Sequence, residues 1–300
     1  MFLLTGARGQ AGQAVIDMAL KTNRRVKAIA RSRRFPFADR IELLTADLRQ
    51  LARYAPFLED VEGFIHLAAA RKNTLRDDVF EDLRILATLL KHWHQGNFIF
   101  ASSQIVYSLG NLPHKEESPC SPVGWYAAGK LMSEQLIQAH FNTCTAAWKL
   151  NHQWVSFRIP PVFYRSQARS LQFLDAYVRA ARKGRTFYWE CTEEQARAVG
   201  SSWVGERDLA NALLDSLAIE QSGIFNVDSG YLRWIDLIES LIRKLNSKSR
   251  IAFQGSKGVR MPHFDTRLDG SKWRLAAPAS GPSRECLEEI VDEYLFRSNK

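Results

Sequence analysis

Tyr126 and Lys130 stand four residues apart in Trp125-Tyr126-Ala127-Ala128-Gly129-Lys130. On a helix that spacing puts a phenol and an ammonium on one face, about one turn from each other. The chemistry open to such a pair is proton transfer. A phenol titrates near 10, and bringing it to neutrality takes about 4 kcal/mol of extra phenolate stabilisation. A neighbouring ammonium and a cationic redox ring would supply that together. Upstream, Asn97 to Tyr107 reads as a buried strand ending in hydroxyl residues. Ser103 is placed there to hold a substrate oxygen while Tyr126 passes the proton and hydride moves to or from a carrier. The expected catalytic residues are therefore Ser103, Tyr126 and Lys130, with Ser103 and Gln104 facing substrate.

Hydride chemistry needs a cofactor, and the first dozen residues have the pattern for one. The apolar run Phe2-Leu3-Leu4 leads into Thr5-Gly6-Ala7-Arg8-Gly9-Gln10-Ala11-Gly12 and then a helical stretch. Strand, glycine-rich turn and helix in that order form a dinucleotide site. Gly6 allows the sharp turn, Gly9 lets a pyrophosphate approach the backbone, and Gly12 permits close packing of helix on sheet. The second strand, Val26 to Ala30, runs into Arg31-Ser32-Arg33-Arg34, where an NAD site would place a carboxylate. Arg31, with Arg8 approaching from the loop, would instead pair with a 2′-phosphate, so the expected cofactor is NADP(H), with NAD the other choice. Asp47 either accepts from the adenine amino group or caps the segment that Leu48 opens. His66-Leu67-Ala68-Ala69-Ala70 ends the fourth strand in small residues suited to a passing ribose, with His66 read as a packed core residue. The expected cofactor contacts are Gly6, Arg8, Gly9, Gln10, Gly12, Arg31, Asp47, Leu48, Leu67, Ala68, Ala69, Lys130 and Pro161.

Apolar runs alternating with amphipathic stretches must position these groups. Strands are expected near 2–5, 26–30, 41–45, 62–67, 97–102 and 153–159, and helices near 10–21, 49–58, 77–94 and 121–142. That alternation predicts an α/β fold, a doubly wound parallel sheet of the Rossmann type. After Pro160-Pro161 the alternation weakens, with helices expected near 169–183, 206–219, 232–246 and 284–297 and strands near 185–189, 223–227 and 250–253. Residues 1–160 are read as the nucleotide-binding core, and 161–300 as a mixed segment that completes it and forms a smaller, interleaved substrate-binding lobe. Trp125, Phe163, Tyr164, Tyr188 and Trp203 either line an aromatic pocket or belong to the core.

Composition narrows the function. The chain has 41 Lys and Arg against 32 Asp and Glu, a net charge of +9, which suits an anionic cofactor and an anionic small-molecule substrate. The basic residues are dispersed apart from Arg31, Arg33 and Arg34, and no helix-turn-helix or zinc-finger spacing accompanies them, so nucleic acid is not the expected partner. No run of 18 apolar residues would span a membrane. The glycine loop begins at residue 5, ahead of which a leader has no room, so a cytoplasmic location is expected. Cys120, Cys144, Cys191 and Cys286 are scattered, with neither zinc-ligand nor disulfide-framework spacing, and no metal is expected.

Taken together these segments resemble the extended short-chain dehydrogenase/reductase family, the NAD-dependent epimerase/dehydratase group that includes UDP-galactose 4-epimerase. The resemblance runs through Thr5–Gly12, His66–Ala69, Phe98–Tyr107, Tyr126–Lys130, Phe157-Arg158, Asp208-Leu209-Ala210, Gly223–Val227 and Leu268–Lys272. It implies a Rossmann core, a nicotinamide cofactor and the trio Ser103, Tyr126 and Lys130. It also implies a possible homodimer through the helices near 77–94 and 121–142. The departures are specific. Gln104-Ile105 stands where family dehydratases carry Asp-Glu, which argues against sugar 4,6-dehydration. Pro161 replaces an Asn that contacts the substrate diphosphate, Ser201 replaces an Arg with Arg197 nearby, and Arg84 stands at a frequent Asn. Arg260 matches a later Arg that binds nucleotide phosphates, and is the third expected substrate contact. The expected activity is an NADP(H)-dependent ketoreductase or dehydrogenase acting on a secondary alcohol or ketone of a nucleotide-linked or other anionic sugar. The alternatives are a nucleotide-sugar epimerase with retained NAD and a non-catalytic NADP-binding sensor or scaffold.

Overall fold

A computed structural model describes residues 1–69, 75–93, 95–108, 110, 113–149, 151–165, 173–277 and 285–297. Expectations falling on Ala70, residue 94, residues 169–172 and residue 284 lie outside them. Strands β1 (Phe2–Thr5), β2 (Val26–Ala30), β3 (Glu42–Thr45), β4 (Gly63–His66), β5 (Asn97–Ser103) and β6 (Trp154–Ile159) are followed by β7 (Val162–Phe163), β8 (Phe187–Trp189) and β9 (Gly200–Gly205). Then come β10 (Gly223–Asn226), β11 (Gly230–Arg233), β12 (Ile251–Phe253) and β13 (Val259–Arg260). Seven of them form one parallel sheet in the order β10-β6-β5-β4-β1-β2-β3. The chain reverses its direction of travel between β1 and β4, and a crevice opens at the carboxyl ends there.

Burial explains why these strands read as apolar runs. Phe2, Leu3 and Leu4 are all fully buried, because helices cover both faces of a parallel sheet. Alternate side chains serve opposite layers. Phe2 and Leu4 pack with Val15, Ile16, Leu213 and Trp273. Leu3 packs with Phe64, Leu86, Trp93, Phe98 and Ile137. On the first face α1 (Gln10–Lys21) lies against a later helix, Glu206–Asp215; on the other, α2 (Arg76–Lys91) lies against α3 (Gly124–Thr143). Among the described residues no helix is long and apolar enough to cross a membrane.

The lobe has two three-stranded sheets, β11-β9-β7 and β12-β8-β13, around a separate core of Phe163, Trp189, Trp203, Trp234, Leu241 and Tyr294. Two element expectations need correction. Residues 48–58 form 3₁₀ turns rather than an α-helix: Gln50 and Tyr54 leave helical geometry and Pro56 interrupts the segment. The helix expected from residue 232 starts at Trp234 because residues 230–233 are β11, paired antiparallel to β9. Its partner β9, Gly-Ser-Ser-Trp-Val-Gly, is buried throughout yet too small and polar to read as a strand.

Candidate active site

Gly6 takes φ +78°, and a Cβ there would stand 2.8 Å from the Ala68 nitrogen at the end of β4. Only glycine fits that turn. A Cβ on Gly12 would stand 2.3 Å from the Gly6 carbonyl oxygen, so helix α1 packs directly on the loop. Helix α1 begins after Gly9, whose position carries no side-chain cap. Its first N–H groups are thus left for an anion.

Beside this loop lies a cavity of about 660 Å³, within the range of ligand sites. The ends of β1 to β4 supply Gly6, Arg8, Gly9, Arg31, Asp47, Leu48, Leu67, Ala68 and Ala69 to its wall, and α2 supplies Asp78, Glu81, Asp82 and Ile85. The glycine cradle, the uncapped helix end and this volume fit a dinucleotide. Among the described residues neither the Arg8 nor the Arg31 side chain forms an ion pair. Asp47 caps the 48–58 segment, accepting from the Arg49 backbone at 3.0 Å. Its carboxylate is also gripped by the Arg49 guanidinium through bonds of 3.1 and 2.6 Å, which holds its pKa down at about 2.

A smaller cavity adjoins the first, sharing Ala68 and Asp82 with it, and is lined by His66, Phe100, Tyr126, Gly129, Lys130 and Ser133. The helix brings the expected pair together there, the Lys130 ammonium standing 5.8 Å from the Tyr126 ring centre. Lys130 Nζ donates to the Ala101 carbonyl at 2.7 Å and lies 4.8 Å from the Phe100 ring centre. The Ser103 hydroxyl lies near enough to Tyr126 to favour its ionised form. Thr5 and His66 Nδ1 share a 2.6 Å hydrogen bond, and burial pushes His66 down to about 3, so it stays neutral.

Electrostatics define what the two side chains do before a cofactor's charge is added. Burial pushes the Tyr126 phenol above its ordinary value, with Asp82 adding to the rise and the Ser103 hydroxyl opposing it. Lys130 is itself pushed down to about 8 by burial, against the pull of Asp82 and Glu134. The ammonium is too poorly solvated to ionise its neighbour, and without a cofactor's charge Tyr126 is a neutral phenol, a proton donor.

Sequence reading passed over the group that fixes this geometry. Glu134, one turn beyond Lys130, is 1% exposed and meets Arg158 of β6, 3% exposed, at 2.8 Å. The Ser102 hydroxyl donates to the same carboxylate. Arg158 also donates to the Glu116 carbonyl at 3.0 Å and lies 4.5 Å from the Tyr107 ring centre. Helix α3 is thereby tied to β5 and β6. A glutamate recurring four residues after Lys130, on its inward face, was the available signal; Asp82 and Arg49 carried none in the local pattern.

Other expected contacts lie elsewhere. Gln10 opens α1 and Gly12 packs beneath the loop, neither lining the cavity. The Pro161 carbonyl accepts from Val204 at 3.0 Å, away from the cavity wall. Gln104 is buried and donates to Ser201 at 3.0 Å and Thr266 at 3.1 Å. Arg260 is exposed on β13 and ion-paired with Glu190 at 2.5 Å. Phe163 and Trp203 belong to the lobe core; Trp125 is half exposed against Phe80.

The NAD dependent epimerase/dehydratase family model matches residues 2–227. No curated protein matches the chain. Among solved structures, MoeE5 in complex with UDP-glucose and NAD superposes with a TM-score of 0.79 at 19% identity, over 99% of this chain and 98% of that one. The UDP-N-acetylglucosamine 4-epimerase of Methanobrevibacter ruminantium M1, in complex with UDP-N-acetylmuramic acid, gives 0.78 at 20% identity over 99% and 97%. Bordetella bronchiseptica WbmG in complex with NAD and UDP gives 0.76 at 15% identity over 99% and 94%. These likenesses agree in fold with the seven-stranded sheet and its lobe. With the family model covering the glycine loop, the serine-ended strand and the Tyr126–Lys130 helix, the chain belongs to the NAD dependent epimerase/dehydratase family and is an NAD(P)-dependent enzyme of the extended short-chain dehydrogenase/reductase type.

Proposed function

We propose that this enzyme uses NADP(H) to interconvert a ketone and a secondary alcohol on an anionic sugar, plausible carriers being nucleotide diphosphates. The observation that carries the reading is the junction of two cavities. A cleft fit for a dinucleotide, with Arg8 in the glycine loop and Arg31 rather than a carboxylate at the end of β2, adjoins a smaller cavity lined by Tyr126 and Lys130. The bound cofactor supplies or accepts the hydride. Ser103 holds the substrate oxygen, and Tyr126, kept neutral by burial, gives that oxygen a proton during reduction. Lys130, anchored on Ala101 beside Tyr126, would hold a ribose hydroxyl of the cofactor and support the phenol. Asp82 and Glu134 sustain its charge.

The solved structures with nucleotide sugars favour a second reading, epimerisation with a retained cofactor. One experiment separates them. Protein purified without additives is denatured, its supernatant assayed for dinucleotide, and native enzyme tested for NADPH oxidation with nucleotide-linked keto sugars. Exchangeable cofactor and stoichiometric NADPH consumption support reduction. Retained NAD without NADPH turnover overturns it in favour of epimerisation.

A further inference from the structure

Arg49 is the third guanidinium on the wall of the large cavity, and neither the glycine loop nor the end of β2 supplies it. We propose that Arg49 acts with Arg31 as a specificity-determining residue that reads the adenosine 2′-phosphate of NADP(H), and that Asp47 holds it ready. This rests on the NADP(H) reading above.

Three observations converge. Asp47 caps the 3₁₀ segment and is fixed in place by it, accepting from the Arg49 backbone at 3.0 Å. Both carboxylate oxygens also grip the Arg49 side chain, Oδ1 from Nε at 3.1 Å and Oδ2 from Nη2 at 2.6 Å. A guanidinium held through two of its nitrogens has lost much of its rotamer freedom before any ligand arrives, and its remaining N–H groups are free to point into the cleft. Second, Arg31 lies close enough to help depress the Asp47 carboxyl, so the two arginines flank one carboxylate at the carboxyl ends of β2 and β3. Third, the wall sets Arg8, Arg31 and Arg49 against Asp47 at the strand ends, with the other carboxylates, Asp78, Glu81 and Asp82, on α2. Asp47 offsets one of three cations, and Glu81, which acts on Arg49 from α2, is itself paired with Arg84 at 3.3 Å. Asp78 and Asp82 complete the acidic side of α2, and Asp82 lies toward Lys130. A phosphate carries between one and two negative charges near neutrality and accepts two N–H bonds from one guanidinium. The ribose hydroxyl of NAD would leave that fork unused. The arrangement therefore adds to the affinity for one cofactor and leaves the other unchanged.

The test is isothermal titration of the full-length protein with NADP⁺, NAD⁺ and the fragment 2′-AMP, comparing wild type with R49Q and R31Q. Melting temperature is measured alongside; Arg49 is exposed, so R49Q should keep its fold. The expected result is a fall of at least fivefold in the NADP⁺ to NAD⁺ affinity ratio for R49Q, with NAD⁺ affinity within twofold of wild type and 2′-AMP binding weakened by the same factor. R49K, which keeps the charge but loses the fork, should recover part of the ratio. An R49Q ratio equal to wild type, in an enzyme that prefers NADP⁺ and loses that preference in R31Q, overturns the role of Arg49 and leaves the cofactor reading standing. A wild-type enzyme that binds NAD⁺ more tightly than NADP⁺ overturns the cofactor reading itself, and this inference with it.

Discussion

Replacing Glu134 by Gln should test whether the buried Glu134–Arg158 pair is what holds the catalytic helix to the sheet. The change keeps the side chain's shape and removes its charge. Arg158 Nη2, which donates to Oε2 at 2.8 Å, would then face an amide N–H₂ or lose its partner, while Nε keeps an oxygen at 3.2 Å. That oxygen, the Glu116 carbonyl and the Tyr107 ring would remain around the guanidinium, with no carboxylate to balance its charge. A charge-assisted bond contributes about 1.5–3 kcal/mol, and stranding one member of a buried pair costs about 3–5 kcal/mol. With one bond retained, we expect a loss near 3 kcal/mol. Removing both charges in E134Q/R158M should cost less than the sum of the single changes, because no buried ion is left alone. The coupling should reach at least about 2 kcal/mol, as contacting residues in one network show. Urea denaturation followed by far-UV circular dichroism measures each corner of the cycle. A single-variant loss below about 1 kcal/mol, or additive costs in the double variant, would refute the reasoning. The same variant should lower kcat more than it alters dinucleotide affinity, since Ser102, bonded to Glu134, precedes Ser103, and Ala101 seats Lys130.

Tyr126→Phe should lower kcat at least a hundredfold, the usual minimum for a lost general acid, while dinucleotide binding by titration changes less than threefold; near-normal turnover would remove Tyr126 from the proposed role. Lys130 is charged below about pH 8 and neutral above it. Because its folded value is depressed, the ammonium that aids proton donation disappears as pH rises, so kcat/KM for reduction should fall through about pH 8, and a flat profile to pH 10 would exclude it as the controlling group. Gly12→Ala should weaken dinucleotide binding at least tenfold in a titration, because the new Cβ would stand 2.3 Å from the Gly6 carbonyl oxygen and must push the loop away from the helix.

Legibility followed contiguity. The glycine loop, the serine-ended strand and the Tyr126–Lys130 turn are each written within about a dozen residues, and strands buried on both faces show as apolar runs whatever their neighbours. The sheet and the adjoining cavities were readable for that reason. Long-range polar partnerships were not. Glu134 and Arg158 are 24 residues apart and meet only when α3 crosses β6. The Asp47–Arg49 grip lies within three residues, but spacing alone does not show that one carboxylate both caps the 48–58 segment and holds the Arg49 guanidinium. β9 was hidden because two glycines and two serines carry little apolar signal, its burial coming from both sides, Trp203 in the lobe core and Val204 in the core of the main sheet.

The direction of the Tyr126 shift in the protein alone has a physical reason that bears on the chemistry. Sequence spacing reports that an ammonium is near; it does not report how little water reaches either group. Burial raises the energy of the phenolate and of the ammonium together, so each moves toward its neutral form, Tyr126 upward and Lys130 to about 8. Two groups so matched do not form an ion pair by themselves. They are poised to hold or pass a proton once a charged ring or a polarised carbonyl enters the adjoining cavity and tips the balance. Asp82 works in the same direction, since its carboxylate lines both cavities and opposes loss of charge from Lys130 while disfavouring a phenolate. With burial keeping the phenol protonated, Tyr126 is suited to donate a proton, as the proposed reduction of a ketone requires.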